Sequence, residues 1–495
     1  MSVLVTGYRV YFHNQALQIP LVRLLNDPAL YPHDPFAATL PYYASMLWRV
    51  VALLARFIPM EPLLLGLFVI ERYVVIYAAG NLALALAPRS RLSALATMAF
   101  FATDPVPILG GGTILMPYFE QTSLAVGFLM LSVAAFYRRR PIPWALWLAA
   151  GFTCNSMYAV YAITYLAAAV VVRVMERRRL RVPLCWAIAA ALFVLLSMPA
   201  ILLSAAAYGK ATASTDLWLA ACRTRVPHHI FPSTWPWVKY ARFGIIVLTV
   251  CCGVTTARGF ESIRRHAFAW SAVAIAWVGA AIVAERAGAS CLMILQPARA
   301  TDLWYCFGAI ALLAACLQNR GFPRYGIALA LVPFVLFHPT GDGAAGEGLF
   351  AIGHSSWALF SRPGVCMSQV CNWASANAPK DAVFLVNPNW GEFRGISRRS
   401  AFVTWKDGSA LLWCRPYAAC WVERMRALGY NPTEGALAGQ KASARLNSIY
   451  DRLTDSDARR LARRYGIAYW VVKQNHPSAM RAVYRNRFFK ILLIH

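Results

Sequence analysis

Residues 62–88 read PLLLGLFVIERYVVIYAAGNLALALAP, an apolar run whose only charged members are Glu71 and Arg72. A helix crosses the hydrocarbon of a bilayer in ~20 residues, so this stretch predicts a membrane span. Comparable runs follow at roughly 92–110, 120–137, 142–158, 159–174, 183–206, 241–258, 267–285, 301–318 and 325–339. Together they predict about ten spans between residues 62 and 339. Composition agrees, since 59% of the 495 residues are hydrophobic and 14% charged. An average soluble protein has about 45–50% apolar and about 25% charged residues, so an ordinary soluble globular domain is excluded.

The formal net charge is +27, from 48 Lys and Arg against 21 Asp and Glu. In a soluble chain such an excess would point to nucleic acid. Here the arginines cluster between apolar runs, at Arg89 and Arg91, Arg138 to Arg140, Arg177 to Arg181, Arg258 with Arg264 and Arg265, and Arg320 with Arg324. All fall on one side of the predicted spans, which the positive-inside rule makes cytoplasmic. The basicity therefore reads as topology and anionic-lipid contact, with no nucleic-acid partner. The opposite, extracytoplasmic side receives residues 1–61, the loops near 104–119, 207–240 and 286–300, and the chain after 340.

Three domains follow. Residues 1–61 form an extracytoplasmic first loop, 62–339 the multi-span domain, and 340–495 a water-soluble α/β cap. The cap assignment rests on short strand-like stretches at 381–386, 401–405, 467–472 and 489–494, alternating with helical patterns near 417–428 and 443–465. In the last of these, Thr454 stands as N-cap and Gly466 as the stop. Residues 1–61 hold no span, because Arg9, His13, Asn14 and Arg23 are costly at bilayer depth. With no signal-peptide pattern either, a first helix ahead of this chain is expected. The stretch 45–60, with Arg49 and Arg56 on a bulky apolar body, predicts an interfacial amphipathic helix. Among the 12 cysteines, Cys366 with Cys371 and Cys414 with Cys420 are open to disulfide pairing or to a free-thiol state, and lack zinc spacing.

The first loop contains NQALQIPLVRLLNDPALYPHDPF (14–36), which sets Asp27, His33 and Asp34 on a segment stiffened by Pro28, Pro32 and Pro35. Such carboxylates can take a proton from a hydroxyl or bind a divalent metal; the competing reading is two Asp-Pro turns. The loop 103–122 carries Asp104 and Glu120 around a Pro- and Gly-rich turn, either as functional acids beside the membrane or as capping residues. The loop 223–242 gathers Arg223, Arg225, His228 and His229 with Trp235 and Trp237, suited to a lipid phosphate or to an interfacial belt. In LQPARATDLW (295–304), Arg299 offers a guanidinium fork for phosphate and also reaches Asp302 at i+3. Glu71 and Arg72 read as structural pairing rather than a proton relay. In the cap, 387–407 concentrates Trp390, Glu392, Arg394, Arg398, Arg399, Trp405 and Lys406, a polar-acceptor surface or a solvated basic face.

The NQ…DP.LYP.DPF stretch before the first spans, the PHH loop at 227–229, the QP.R loop at 296–299 and the α/β cap resemble bacterial members of the GT-C superfamily of polytopic membrane glycosyltransferases. That resemblance implies an acidic residue in the first external loop as base or metal ligand, and a polyprenyl-phosphate-linked sugar as donor. Asp34 matches the catalytic acid best and Asp27 second, although the superfamily's adjacent acidic pair is absent. Asp104, Glu120 and His33 are then candidates for acceptor or metal binding. A divalent metal, Mg²⁺ or Mn²⁺, is the cofactor the resemblance implies. Arg299, Arg223, Arg225, His228 and His229 are the expected donor-phosphate ligands, with Trp390, Arg394, Trp405 and Lys406 as cap candidates. The expected activity is hexosyl or pentosyl transfer to an extracytoplasmic acceptor at a bacterial cytoplasmic membrane. The alternatives are a polar-lipid transporter or flippase, and a catalytically inactive envelope relative.

Overall fold

The computed structural model describes residues 2–3, 7–103, 109–110, 114–177, 183–208, 214–256, 261–318, 360–361, 364–434 and 437–494. Asp104, the predicted tenth span at 325–339 and the 339/340 boundary lie outside them. The chain enters through a short strand, β1 (Tyr8–Arg9), and helices α1 (Gln15–Asn26) and α2 (Met46–Leu54). The helical layer follows as α3 (Met60–Leu86), α4 (Arg91–Ala102), α5 (Gln121–Tyr137), α6 (Pro141–Cys154), α7 (Ser156–Arg177) and α8 (Leu184–Tyr208). A crossing segment, α9 (Thr215–Arg225), leads to α10 (Trp237–Thr256), α11 (Glu261–Arg286) and α12 (Ala300–Gln318).

Among the described residues six helices are long and apolar enough to cross a membrane: Met60–Leu86, Ser156–Glu176, Leu184–Ala207, Trp237–Thr255, Glu261–Arg286 and the Ser290–Leu317 stretch. They bear out a helical membrane layer without confirming a count of ten spans. The runs at 92–110, 120–137 and 142–158 fold as helices of 12, 17 and 14 residues, short of the ~20 a span needs. The third is cut where Asn155 adopts an extended conformation (φ −153°, ψ 98°) between α6 and α7. The Ser290–Leu317 stretch is also interrupted, because Gln296 takes a left-handed conformation (φ 47°) before Pro297 and restarts the helix at Ala300.

Burial sorts these helices. The Ser290–Leu317 stretch is buried over 94% of its apolar window, and the Leu184–Ala207 helix over only 17%. A helix apolar all round and buried all round belongs at the centre of the layer, where Leu303, Trp304, Phe307 and Ile310 are inaccessible. The peripheral α8 instead presents Leu195 and Leu202 outward.

The cap carries a five-stranded sheet in the order β4-β3-β5-β7-β6, where β3 is Val383–Leu385, β4 Ser400–Ala401, β5 Ile467–Lys473, β6 Ala482–Arg485 and β7 Phe489–Leu493. β3 runs parallel to β4 and β5, while β7 runs antiparallel to β5 and β6. The helix Asp455–Tyr465 begins with a Thr454/Asp457 capping box and ends at left-handed Gly466 (φ 67°), as its sequence requires. Each of the twelve thiols is free, so neither open cysteine pair is bridged.

The N-terminal segment ties the two parts together. β1 pairs in parallel with β2 (Phe360–Ser361). α1 lies against the cap so closely that a Cβ at Gly391 would stand 3.2 Å from Ala16 Cβ, and one at Gly395 3.2 Å from the Tyr11 ring. Arg23 donates to the Gly395 carbonyl and the Tyr31 hydroxyl to the Arg394 carbonyl. α2 buries Trp48 and Val51 and leaves Leu53 and Val50 exposed, with Phe57 just beyond it 80% exposed.

Candidate functional site

Between the helical layer and the cap lies a cavity of about 1570 Å³. Its wall is assembled from the N-terminal segment (Arg9, Phe12, His13, Asn14), the end of the 114–120 loop (Tyr118, Glu120), the 225–242 stretch, Gln296 with Arg299, and the cap (Glu392, Trp405, Lys406, Lys441). Among the described residues that line it, the cations Arg9, Arg225, Lys239, Arg242, Arg299, Lys406 and Lys441 face two carboxylates, Glu120 and Glu392. Such an excess of positive charge in a low-dielectric cleft favours an anionic ligand.

Glu120 is the N-cap of α5 and buried. Its carboxylate accepts from Asn14 Nδ2 at 2.9 Å. Asn14 Oδ1 in turn accepts from Lys406 Nζ at 2.8 Å. The same ammonium sits 3.3 Å from His13 Nδ1, which is 3.2 Å from the Tyr118 hydroxyl. Three chain segments far apart in sequence thus converge on one polar chain. Burial raises the Glu120 pKa, against the pull of Asn14 and Arg299. Burial and the nearby Arg225 push the Lys406 amine down to about 7, opposed by Glu120. The Lys406 charge and burial hold His13 well below its ordinary value. The site therefore holds a carboxylate of enhanced basicity beside an amine poised near neutrality.

The rings of His228 and His229 meet with centroids 4.0 Å apart, tilted by 50° to one another. His229 Nδ1 lies 2.7 Å from the Gly110 carbonyl, so that nitrogen carries the hydrogen and Nε2 is left as an acceptor. Gly110 reaches this place in a left-handed conformation (φ +67°), where a Cβ would press on Ala298 at 3.3 Å. Burial and Arg225 lower the His228 pKa to about 3, and burial with His228 lowers that of His229. These shifts favour the neutral form of both rings, with His229 Nδ1 engaged by Gly110. Arg299 is the better placed group: it stands over the Tyr158 ring at 5.2 Å, is 3.8 Å from Asp302, and reaches Gln296 Oε1 at 3.4 Å. Tyr158 completes the support by donating to Asp302 at 2.5 Å.

The other candidates lie elsewhere. Asp34 is outside the cavity wall and fully buried against Arg394, with Nε–Oδ2 2.6 Å and Nη2–Oδ1 3.2 Å. Arg394 also grips Asp407 at 2.8 and 3.1 Å. Both Asp34 oxygens take a backbone N–H as well, from Phe36 and Ala401 at 3.0 Å. Saturated in this way, Asp34 joins the first loop to the cap, where sequence had suggested a free base. Asp27 is exposed and caps the Ala29 N–H at 3.1 Å, which is the turn reading. His33 is exposed and outside the wall. Arg223 is exposed and pairs with Glu285 at 3.4 Å beside a separate small cleft. Arg225 does line the cavity, but its guanidinium is spent on the Trp405 carbonyl (2.6 Å) and Ser409 Oγ (2.9 Å). Trp390 packs on Tyr450 and Phe489. Of the cap candidates, Trp405 and Lys406 reach the cavity.

Sequence reading passed over His13, Asn14 and Tyr118 as site residues. The first two adjoin the stretch 14–36, and only their meeting with Lys406 marks them. For the metal, no three His, Cys, Asp or Glu side chains meet among the described residues. The described donor set does not fit a divalent ion.

Residues 367–428, inside the cap, match the model of a family described as a domain of unknown function, DUF6798. The sequence matches no curated protein. Among solved structures, the fold is similar to the oligosaccharyltransferase of Archaeoglobus fulgidus tethered to an acceptor peptide containing the NVT sequon, with a TM-score of 0.50 and 10% identity over 95% of this chain and 65% of that one. The archaeal oligosaccharyltransferase AglB of the same organism, in complex with an inhibitory peptide and a dolichol-phosphate, matches with a TM-score of 0.44 and 11% identity over 95% and 66%. The chain thus spans just under two thirds of the length of these proteins. The likeness to the first of these structures shows the fold alone.

Proposed function

We propose that this protein is a membrane glycosyltransferase that moves a sugar from a polyprenyl-phosphate-linked donor to an acceptor hydroxyl or amide in the cavity beneath the cap. The observation that carries the reading is the convergence of one buried carboxylate, Glu120, with Arg299 and Lys406 in a single cationic cavity between helical layer and cap. Glu120 takes the acceptor proton, its basicity raised by burial. The bond from the sugar's anomeric carbon to the donor phosphate oxygen breaks as the acceptor bond forms, and Arg299 with Lys406 balances the charge on the leaving phosphate. His229 Nε2 supplies an acceptor for a sugar hydroxyl, and His13, whose Nδ1 faces Lys406 and Tyr118, presents Nε2–H as a donor. The arginine clusters between the apolar runs support a cytoplasmic location for those connections, with cap and cavity extracytoplasmic.

The test is Glu120→Gln in proteoliposomes supplied with decaprenyl-phosphate sugars. Loss of a general base should lower transfer by about 10²–10⁴-fold while the fold persists. Transfer at the unmodified rate would overturn the assignment.

A further inference from the structure

Glu71 and Arg72 lie buried in α3, and the proposed chemistry uses neither. Burying adjacent charges in a membrane helix is costly, and such residues are retained where they bind something specific. Here both bind the backbone of one short segment. Glu71 Oε2 accepts the backbone N–H of Glu120 at 2.8 Å. Arg72 Nη2 donates to the carbonyl of Met116 and its guanidinium stacks 4.7 Å from the Phe68 ring centre. The two ends of 116–120 are therefore held from the membrane side by consecutive residues of a long helix. From the opposite side the Arg9 N–H donates to the Pro117 carbonyl at 2.6 Å, and Asn14 holds the Glu120 carboxylate.

We infer that Glu71 is a positioning residue for Glu120: acting through a backbone hydrogen bond from inside α3, it fixes the carboxylate in the cavity wall. The inference rests on the proposed role of Glu120. Its physical content is geometric, because an irregular segment at the edge of a membrane layer is precise only when a rigid element supports it. Glutamine keeps the acceptor oxygen and removes the charge. Aspartate keeps the charge and withdraws the oxygen by one methylene, and leucine removes both.

The test follows Glu120 itself. The full chain in lipid nanodiscs is treated with dicyclohexylcarbodiimide across pH, and the N-acylurea on Glu120 is counted by peptide mass spectrometry. The carboxyl oxygen adds to the carbodiimide carbon, its proton passes to nitrogen, and acyl migration gives the stable product without an oxidant or leaving group. Glu71→Gln should reproduce the unmodified midpoint. Glu71→Asp and Glu71→Leu should lower it by about half a pH unit or more, a roughly threefold change in the protonated fraction, as Glu120 relaxes toward water. If Glu71→Leu fails to fold, Glu71→Asp decides. An unshifted midpoint in the folded Asp variant, or a Gln variant shifted as far as Leu or Asp, would overturn the inference. Because labelling needs no turnover, a Glu120→Gln protein that still transfers sugar would sink the functional reading and leave this result standing.

Discussion

Asp34→Asn separates a structural acid from a chemical one. In the folded protein Arg394 and Asp34 are both about 1% exposed and meet through contacts of 2.6 and 3.2 Å. The amide turns an N–H toward a guanidinium that can only donate, so one arm of the Arg394 bridge is lost and replaced by a mismatch. Removing one partner of a buried pair costs ~3–5 kcal/mol. Arg394 keeps both bonds to Asp407, which places the expectation at the lower end, about 3 kcal/mol. At about 1.4 kcal/mol per factor of ten, that is a roughly hundredfold loss of protection for whatever local opening separates loop and cap. The assay is hydrogen exchange at the Phe36 and Ala401 amides, which both donate to Asp34. Sugar transfer by the molecules that remain folded should persist. Protection lowered by less than about threefold, or transfer abolished with protection intact, would refute the structural assignment and return Asp34 to the chemistry.

Arg299→Ala should weaken binding of decaprenyl phosphate at least about tenfold, whereas Arg223→Ala should leave it unchanged, since Arg223 pairs with Glu285 outside the cavity; equal losses in a flotation assay would contradict the placement. Reductive methylation of Lys406 should show a midpoint near 7, lower still in Glu120→Gln, because a carboxylate that favoured the charged amine is gone. The same shift, from 10.5 in the free chain to about 7, makes the docked state bind fewer protons between those values, so protection of the 404–409 amides should rise with pH across that window, and a Lys406→Met protein should lack the rise. Gly408→Ala should destabilise the cap by about 1–3 kcal/mol in hydrogen exchange, because the new methyl meets Trp421 at 2.7 Å and Arg225 at 2.8 Å.

Much of this architecture is legible in local sequence. The run 62–88 becomes Met60–Leu86, and the Thr454–Gly466 stretch becomes a helix with the anticipated caps, because apolar length and capping chemistry act within a few residues. Helix boundaries are less legible where local chemistry competes. Extended Asn155 separates the helices Pro141–Cys154 and Ser156–Arg177, a few residues before the 158/159 boundary that the apolar runs suggest. α1 escaped notice because Pro28, Pro32 and Pro35 mark 14–36 as stiff, non-helical chain. In the fold its buried face, including Ile19 and Leu21, is bought by packing against the cap, which no window over the chain reveals.

The two acids show why a site is harder to read than a fold. Asp34 and Glu120 look alike in sequence, each an acid near a proline at the edge of an apolar segment. Their difference is supplied by residues up to 367 positions away, Arg394 and Ala401 for Asp34, and Asn14 with Lys406 behind it for Glu120. Asp34 meets a guanidinium and two amides that saturate it. Glu120 meets the Asn14 side-chain amide and the Thr122 backbone N–H, with no guanidinium clamped on it as on Asp34, which leaves capacity toward the cavity. A carboxylate works as a base only while it retains an unfilled lone pair facing the reactant. By that criterion Asp34, the acid that the GT-C resemblance favours, holds loop to cap, and the second acidic loop, its Glu120 N–H held by Glu71, is where the chemistry is proposed.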